Sequence, residues 1–399
     1  MHKTMDREQL ILALEQGKVK TPCYIFNRDI LLKHLESMKK MAQDTVSFCY
    51  AMKANPYVIA WLKNADIKVE VCSPGELELC RHYEILPQNI IFSGVNKTAE
   101  NVARAFETGV GTITVESIKH FNLIKSYCEE HHCSADILLR LTSGAQFGMD
   151  RELLEKIVSK RAEYPYLTIE GIHFFSGTQK KKAEKIKEEL SGLKELLDGL
   201  KEKYQYQAKI LEYGAGLSVP YFEGENFDDY YGNLTQTIEM IGELSFSAHV
   251  VLELGRYIAA SCGEYLTTVE DCKINDGHRY AIVDGGIHHL NYYGQNMAMR
   301  VPLIEKLGTW RQEEEKEEWC ICGSLCTFAD VLVRKAAFAN LKEGDILRFQ
   351  NAGAYSVTEA PFLFLSRRMP DIYEYSKGQY LKIRAGIEAY RLNCEKQSL

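Results

Sequence analysis

Short apolar runs alternate with segments of helical periodicity over most of the chain. The runs are rich in β-branched and aromatic residues, which is typical of strands buried in a parallel sheet. The eight runs cover residues 47–51, 67–72, 89–93, 112–117, 136–142, 169–175, 208–213 and 249–254. Between them, segments such as ENVARAFETG and KKKAEKIKEELSGLKELLDGLKEKY place apolar residues three and four positions apart. Eight alternating strand–helix units predict an α/β fold in which a parallel sheet closes into a TIM-like (β/α)8 barrel.

The pattern changes after residue 262. Segments such as HRYAIVDGG and DILRFQN alternate apolar and polar positions and are joined by short turns. This pattern predicts an antiparallel β-sandwich or β-barrel domain, to which the early segment TPCYIFNRD could add a strand. We therefore predict a barrel domain at 27–262 and a β domain made of 1–26 and 263–399.

Composition and charge exclude several classes of protein. The 399 residues are 46% hydrophobic and 26% charged, with a net charge of −7, so no basic surface is expected to attract nucleic acid or anionic lipid. No apolar run reaches membrane-spanning length and no signal-peptide segment begins the chain, which favours a cytoplasmic location. The twelve cysteines are scattered without metal-site spacing, so we expect mostly reduced thiols and no metal site.

The stretch CYAMKANP places Lys53 at the end of the first apolar run. A lysine there could simply extend its ammonium into solvent. In a (β/α)8 barrel, however, the active site lies at the C-terminal ends of the strands. Polar residues and glycines recur at the other predicted strand ends, namely Ser73, Ser143, Gln146, His173, Ser176, Gly214, Gly216, Glu253 and Arg256. This recurrence favours a functional Lys53.

The loops after the seventh and eighth runs are candidates for binding a phosphate. Gly214 and Gly216 would let the backbone approach an anion, and Arg256 would add charge, although a tight turn without a ligand also uses glycines. A phosphate-bearing cofactor that also requires a lysine is pyridoxal 5′-phosphate, held by Lys53 as a Schiff base. Glu253 would then keep the pyridine nitrogen protonated.

The ordered motifs resemble those of the fold-type III pyridoxal-phosphate decarboxylases, which include the diaminopimelate, ornithine and arginine decarboxylases. The matching segments in the first domain are YAMKANP, HFFS at 173–176, GAG at 214–216 and ELGR at 253–256. Two positions depart from the family pattern, because Ala215 replaces a glycine and Leu254 replaces a proline. The resemblance implies that the cofactor is bound by Lys53, His173, Ser176, Gly214, Gly216, Glu253 and Arg256. His173 would stack on the cofactor ring, unless it is an ordinary core histidine.

Two segments of the second domain also resemble the family. CGSLCTFAD at 322–330 is similar to the segment whose cysteine, here Cys326, enters the site of the neighbouring subunit and protonates the carbanion after carbon dioxide leaves. GAY at 353–355 resembles the segment whose tyrosine, here Tyr355, binds the phosphate. The resemblance thus implies a homodimer with shared active sites.

The residue after this cysteine bears on the substrate. In the diaminopimelate and ornithine enzymes it is acidic and contacts the distal amino group, whereas here it is Thr327. A neutral hydroxyl does not compensate a buried ammonium, unless another acid such as Asp330 replaces it. QFGMD, which contains Gln146, and VDGGIHH at 283–289 resemble a subgroup that includes the butirosin-pathway glutamyl-acyl-carrier-protein decarboxylase. Gln146, Thr327 and Asp330 are the candidate substrate contacts.

We therefore predict a pyridoxal-phosphate-dependent amino-acid decarboxylase in which Lys53 and Cys326 are catalytic. The substrate is predicted to be an amino acid, either free or tethered to an acyl carrier protein in γ-glutamyl fashion. The alternatives are a decarboxylase of free meso-diaminopimelate, a racemase of the same fold type and a non-catalytic cofactor-binding protein. The racemase is disfavoured by Glu253, because such racemases place an arginine at the pyridine nitrogen.

Overall fold

The computed structural model describes residues 6–226, 228–308 and 315–394. The chain divides into two compact units, of which the first comprises 34–219 and 229–258. The second comprises the described residues of 1–33, 220–228 and 259–399. The predicted domain limits of 27–262, and of 1–26 with 263–399, stay a prediction. Residues 1–5, 227, 309–314 and 395–399 of those domains lie outside the described residues.

Eight of the strands form the predicted closed barrel. The first strand of the chain, β1 (Cys23–Asn27), lies outside it. The barrel strands follow as β2 (Val46–Ala51), β3 (Lys68–Val71), β4 (Ile90–Phe92), β5 (Thr112–Val115), β6 (Ala135–Leu141), β7 (Leu167–Phe175), β8 (Ile210–Gly214) and β9 (His249–Leu254). Each pairs in parallel with its neighbours, and β9 returns to β2. The predicted (β/α)8 barrel is confirmed.

Helices connect the barrel strands, as the periodicity predicts. The helices are α1 (Arg7–Glu15), α2 (Arg28–Ala42), α3 (Ile59–Leu62), α4 (Pro74–His82), α5 (Ala99–Thr108), α6 (Ile118–His131), α7 (Arg151–Ser159), α8 (Ala183–Tyr204), α9 (Gly232–Leu244) and α10 (Arg256–Ala259). Ser73 caps the start of α4 by accepting the N–H of Glu76, and Asp150 caps α7 in the same way. Ser73 therefore has a structural reason for its place at a strand end. No helix in the described part of the chain has the length and apolarity needed to cross a membrane.

The lower part of the barrel interior is apolar. Cys49, Ile91 and Val251 form a buried cluster there, against which Ile210 packs. These residues lie on four different strands, so their contacts fill the barrel centre. Glu212 and Glu253, described below, lie two residues nearer the C-terminal ends of β8 and β9 than Ile210 and Val251.

The second unit contains a mixed sheet. Its further strands are β10 (Gly263–Asn275), β11 (His278–Val283), β12 (Ile304–Leu307), β13 (Glu317–Cys322), β14 (Val331–Phe338), β15 (Ile346–Phe349), β16 (Asp371–Ser376) and β17 (Gln379–Arg384). Most pairs are antiparallel as predicted, but β1 runs parallel to β16 and β11 runs parallel to β13. β1 pairs with both β10 and β16, so the early segment TPCYIFNRD supplies a strand to this sheet.

Candidate active site

Lys53 lies at the mouth of the barrel between two buried carboxylates. It belongs to a short 3-10 turn, Met52–Ala54, that directly follows β2. Its Nζ atom is 2.9 Å from Oε2 of Glu70 on β3 and 3.3 Å from Oε1 of Glu253 on β9. The lysine side chain is 42% exposed, whereas the side chains of Glu70 and Glu253 are 4% and 7% exposed. The Lys53 amine is thus accessible, whereas the two carboxylates that hold it are buried.

The residues after Lys53 fix the chain at this point. Asn55 accepts the backbone N–H of Tyr57 through its side chain, and its carbonyl accepts the hydroxyl of Tyr50 at 2.9 Å. Gly255 keeps the end of β9 close to β2, because an added Cβ would lie 3.0 Å from the Cβ of Ala54. The segment AMKANP therefore reverses direction sharply and leaves the lysine at the rim.

Glu253 also binds His173 from the neighbouring wall of the barrel. Nε2 of His173 on β7 is 2.8 Å from Oε2 of Glu253, and His173 is 1% exposed. Burial opposes ionisation of Glu253, but Lys53 and the hydrogen bond from His173 outweigh it and hold its pKa well below the usual range. Burial disfavours the charged imidazole, yet Glu253 and the nearby Glu212 raise the pKa of His173. The lowered pKa favours the ionised form of Glu253, which accepts hydrogen bonds from Lys53 and His173.

The glycines after β8 are required by close contacts between loops. Gly216 has φ +59°, and an added Cβ there would lie 2.0 Å from the carbonyl oxygen of Gly177. An added Cβ on Gly214 would lie 2.6 Å from the ring of Phe175. Beside them, Nε of Arg256 donates to Oγ1 of Thr178 at 3.4 Å. Backbone N–H groups, a hydroxyl and a guanidinium are the groups that bind phosphate.

The hydroxyl of Ser176 has a partner on α8, and its predicted contact with a phosphate stays a prediction. Its hydroxyl donates to the carboxylate of Glu189 on α8. The same carboxylate accepts Nζ of Lys180 and the hydroxyl of Tyr213, each at 2.6 Å. Ser176 therefore faces α8, while Thr178 lies beside Arg256. The run HFFSGT contains two hydroxyl residues, and the motif alone did not distinguish them.

Phe175 is a second residue that the sequence reasoning missed. His173 is deeply buried and bonded to Glu253, so its predicted stacking on a cofactor ring stays a prediction. Phe175 is half-buried and lies two residues nearer the strand end, on the same face as His173. It is therefore the more accessible aromatic side chain of β7.

Gln146 lies in the exposed loop between β6 and α7. The base of this loop is held by Glu116, which pairs with Arg140 and accepts the N–H of Gly148 at 3.0 Å. Phe147 covers the Arg140 guanidinium, 5.0 Å from its ring centroid. The loop is anchored to the barrel while Gln146 remains exposed, and its role as a substrate contact stays a prediction.

In the second unit, Cys326 and Thr327 are exposed on the loop between β13 and β14, next to the fully exposed Phe328. Asp330, on the same loop, is only 3% exposed. Its Oδ1 accepts the N–H of Ile287 at 2.8 Å and its Oδ2 accepts the N–H of Leu325 at 2.7 Å. The Asp330 carboxylate thus stabilises the loop through hydrogen bonds to backbone N–H groups.

Tyr355 adopts φ +68°, which is uncommon for a bulky residue. Its carbonyl oxygen accepts the N–H groups of Thr358 and Glu359, both at 2.9 Å. Backbone conformations of this kind are concentrated at functional sites. Its predicted contact with a phosphate stays a prediction.

Residues 28–260, more than half of the chain, match the family described as pyridoxal-dependent decarboxylase, pyridoxal binding domain. The chain belongs to this family. It is therefore a carboxy-lyase that decarboxylates an amino acid with pyridoxal 5′-phosphate, which confirms the predicted fold-type III membership, cofactor and enzyme class. The Lys53 amine between two carboxylates fits that cofactor, as do Gly214 and Gly216 beside Arg256.

Relatives of known activity cover nearly the whole chain. L-glutamyl-(BtrI acyl-carrier protein) decarboxylase of Niallia circulans is 27% identical, with 95% of this chain and 94% of that protein covered. Diaminopimelate decarboxylase of Zymomonas mobilis is 24% identical, with 85% and 84% covered. Among solved structures, a diaminopimelate decarboxylase of M. jannaschii has a TM-score of 0.86 at 23% identity, with 98% of this chain and 94% of that one covered. That likeness shows the fold.

Proposed function

We propose that this decarboxylase acts on an amino acid whose distal end is tethered to an acyl carrier protein, as in a γ-linked glutamyl group. The observation that carries the proposal is the charge of the loop at 322–330. Its only acidic residue is Asp330, which is buried and accepts two backbone N–H groups. The exposed position after Cys326 is the neutral Thr327. A distal ammonium would have no exposed carboxylate on this loop, whereas an amide or thioester linkage needs none.

The relatives support the same choice of substrate. The Niallia circulans protein is named for an L-glutamyl group on an acyl carrier protein, and its similarity extends over both units of this chain. A decarboxylase of free meso-diaminopimelate is the second candidate, because several relatives, including that of Zymomonas mobilis, carry this name. The two candidates differ in the charge at the distal end of the substrate.

When bound, pyridoxal 5′-phosphate supplies an electron sink for the electron pair that remains when carbon dioxide leaves the α-carbon. Lys53 would hold the cofactor covalently, and Arg256, Thr178 and the backbone of Gly216 would bind its phosphate. Glu253, kept ionised by Lys53 and His173, would accept a hydrogen bond from the pyridine nitrogen and favour its protonated form.

Cys326 is proposed to deliver the proton that replaces the carboxylate on the α-carbon. Its side chain is exposed on the loop of the second unit, so it is available to a neighbouring copy of the chain. We infer a cytoplasmic homodimer in which each copy contributes this cysteine to the other copy's site. A Cys326→Ser variant should still bind the cofactor but should form little of the amine product.

The test is carbon dioxide release from two groups of substrates. One group contains free meso-diaminopimelate, lysine, ornithine, arginine and glutamate, and the other contains a glutamyl group loaded on an acyl carrier protein. We expect turnover only of the loaded carrier. Rapid turnover of free diaminopimelate would overturn the proposal of a tethered substrate. It would require an acidic residue other than Asp330 to contact the distal amino group.

A matched variant sharpens this test. Thr327→Asp restores a negative charge at the exposed position, and the loop geometry should persist because Asp330 is unchanged. We expect the variant to lose activity on the glutamyl carrier and to bind free diamino acids more tightly. An unchanged preference would show that Thr327 does not face the substrate.

A further inference from the structure

Glu212 faces the barrel interior beside His173. The two residues are partners in the pairing of β7 with β8. The next residues along these strands, Phe174 and Tyr213, stack on each other, and Tyr213 bonds to Glu189 on the outer helix α8. Because successive residues of a strand face opposite sides, His173 and Glu212 lie together on the inner face.

Glu212 has no hydrogen-bond partner among the described residues. It is fully buried, and both of its carboxylate oxygens are unpaired. Nδ1 of His173 is also buried and unpaired, although Nε2 of the same ring binds Glu253. Ile91 and Val251, which pack with Cys49 in the barrel interior, offer no polar group to either of them. Buried polar atoms without partners are rare and are often bridged by an interior water.

The charges around Glu212 favour its neutral form. The titratable groups that face it are Cys49 on β2, Lys68 and Glu70 on β3, His173 on β7 and Glu253 on β9. Burial raises the pKa of Glu212 to about 7; His173 opposes the rise, and the other two carboxylates add to it. Glu253, on the neighbouring strand β9, is already a buried negative charge. A further negative charge on Glu212 would be repelled by it.

We propose that Glu212 is a neutral carboxylic acid that positions His173 through one interior water bound to Nδ1, and so keeps Nε2–H of His173 directed at Glu253. The O–H of Glu212 donates to the water, and the water donates to the Nδ1 lone pair. The single ring proton of His173 then lies on Nε2, where Glu253 accepts it. If the proton moves from Glu212 through the water to Nδ1, Glu212 becomes anionic and His173 becomes cationic. The protonation of Glu212 therefore sets the charge beside Glu253.

This inference rests on the proposed function only where Glu253 is taken to bind the cofactor. The state of Glu212 is tested without turnover, by infrared spectra of the cofactor-loaded protein and two variants. Glu212→Gln removes the carboxyl group at constant volume. Glu170→Gln is the control, because Glu170 pairs with Lys209 at 2.7 Å, away from the barrel interior.

We expect the carbonyl stretch of a protonated carboxylic acid at neutral pH in the wild type and the control, and its absence in Glu212→Gln. The band should disappear as the pH rises through the range in which Glu212 ionises. An identical spectrum for wild type and Glu212→Gln in the protonated-acid region would overturn the proposal. This result is independent of which substrate the enzyme uses.

A second measurement tests positioning. Glu212→Leu should lower kcat at least about tenfold with KM unchanged, since loss of a supporting hydrogen bond has effects of this size. Glu212→Gln, which can still donate to the water, should retain kcat within about threefold of the wild type. Equal losses in both variants, or no loss in either, would contradict the proposed role. If no tested substrate is turned over, the proposed function fails and the infrared result alone decides the state of Glu212.

Discussion

The partners of Ser176 and Thr178 predict which hydroxyl binds the cofactor phosphate. Thr178 accepts from Arg256 at 3.4 Å, so its own O–H remains available to an anion beside the guanidinium. Ser176 donates its proton to Glu189 and has no second one to offer. We therefore expect Thr178→Val to weaken cofactor binding and Ser176→Ala to leave it nearly unchanged.

The size of the effect follows from the bond that is lost. A hydrogen bond to a charged group contributes about 1.5–3 kcal/mol. Because the Arg256 contact at 3.4 Å is long, we take the lower value for Thr178. That corresponds to about a tenfold rise in the dissociation constant of the cofactor for Thr178→Val. For Ser176→Ala we expect a change within about twofold, with a loss of about 1 kcal/mol in the free energy of unfolding.

The assay is a titration of cofactor-free protein with pyridoxal 5′-phosphate, followed by the visible absorbance of the bound form. Urea unfolding of both variants separates a weaker site from a damaged fold. A tenfold loss in Ser176→Ala without a loss in Thr178→Val would refute the assignment and would restore the serine that the motif suggests.

Three other outcomes follow from the structure. Lys53→Ala should abolish borohydride-stable labelling of the chain by the cofactor, as measured by mass of the digested peptide. Burial opposes ionisation of Asp371, but hydrogen bonds from Lys382 and from a backbone N–H hold its pKa below the usual range. The ionised Asp371 therefore contributes to the free energy of unfolding above about pH 4, and this contribution is lost as the pH falls further. In Asp371→Asn, the free energy of unfolding should fall less steeply with pH in that acidic range. Glu264→Ala removes a carboxylate that pairs with the fully buried Arg348 and should cost about 3 kcal/mol by urea unfolding, with little change for an exposed control, Lys335→Ala.

The barrel was predictable because every one of its strands is a buried apolar run. β2 and β9 are hydrophobic nearly throughout, as both faces of a barrel strand are covered. The long amphipathic segment that forms α8 places its buried residues three and four positions apart. The two parallel pairs of the second sheet were not predictable, because pairing between distant strands leaves no periodic signal in either one.

The candidate site was predicted in part. Lys53, Glu253 and Arg256 were found because motifs and strand ends coincide there. Glu70 and Glu212 were missed because each is a single carboxylate within a short strand. Their significance comes from residues on other strands, which the linear sequence does not place beside them.

Asp330 stabilises the conformation of its loop without determining which side chains the loop exposes. The conformation depends on a buried carboxylate bonded to the backbone at Ile287 and Leu325, while the neighbouring Thr327 is exposed. Position 327 can therefore change from neutral to acidic without refolding the loop. If Thr327 contacts the substrate as proposed, one exchange at this position would alter the substrate, and enzymes for free and tethered amino acids could diverge on an unchanged scaffold.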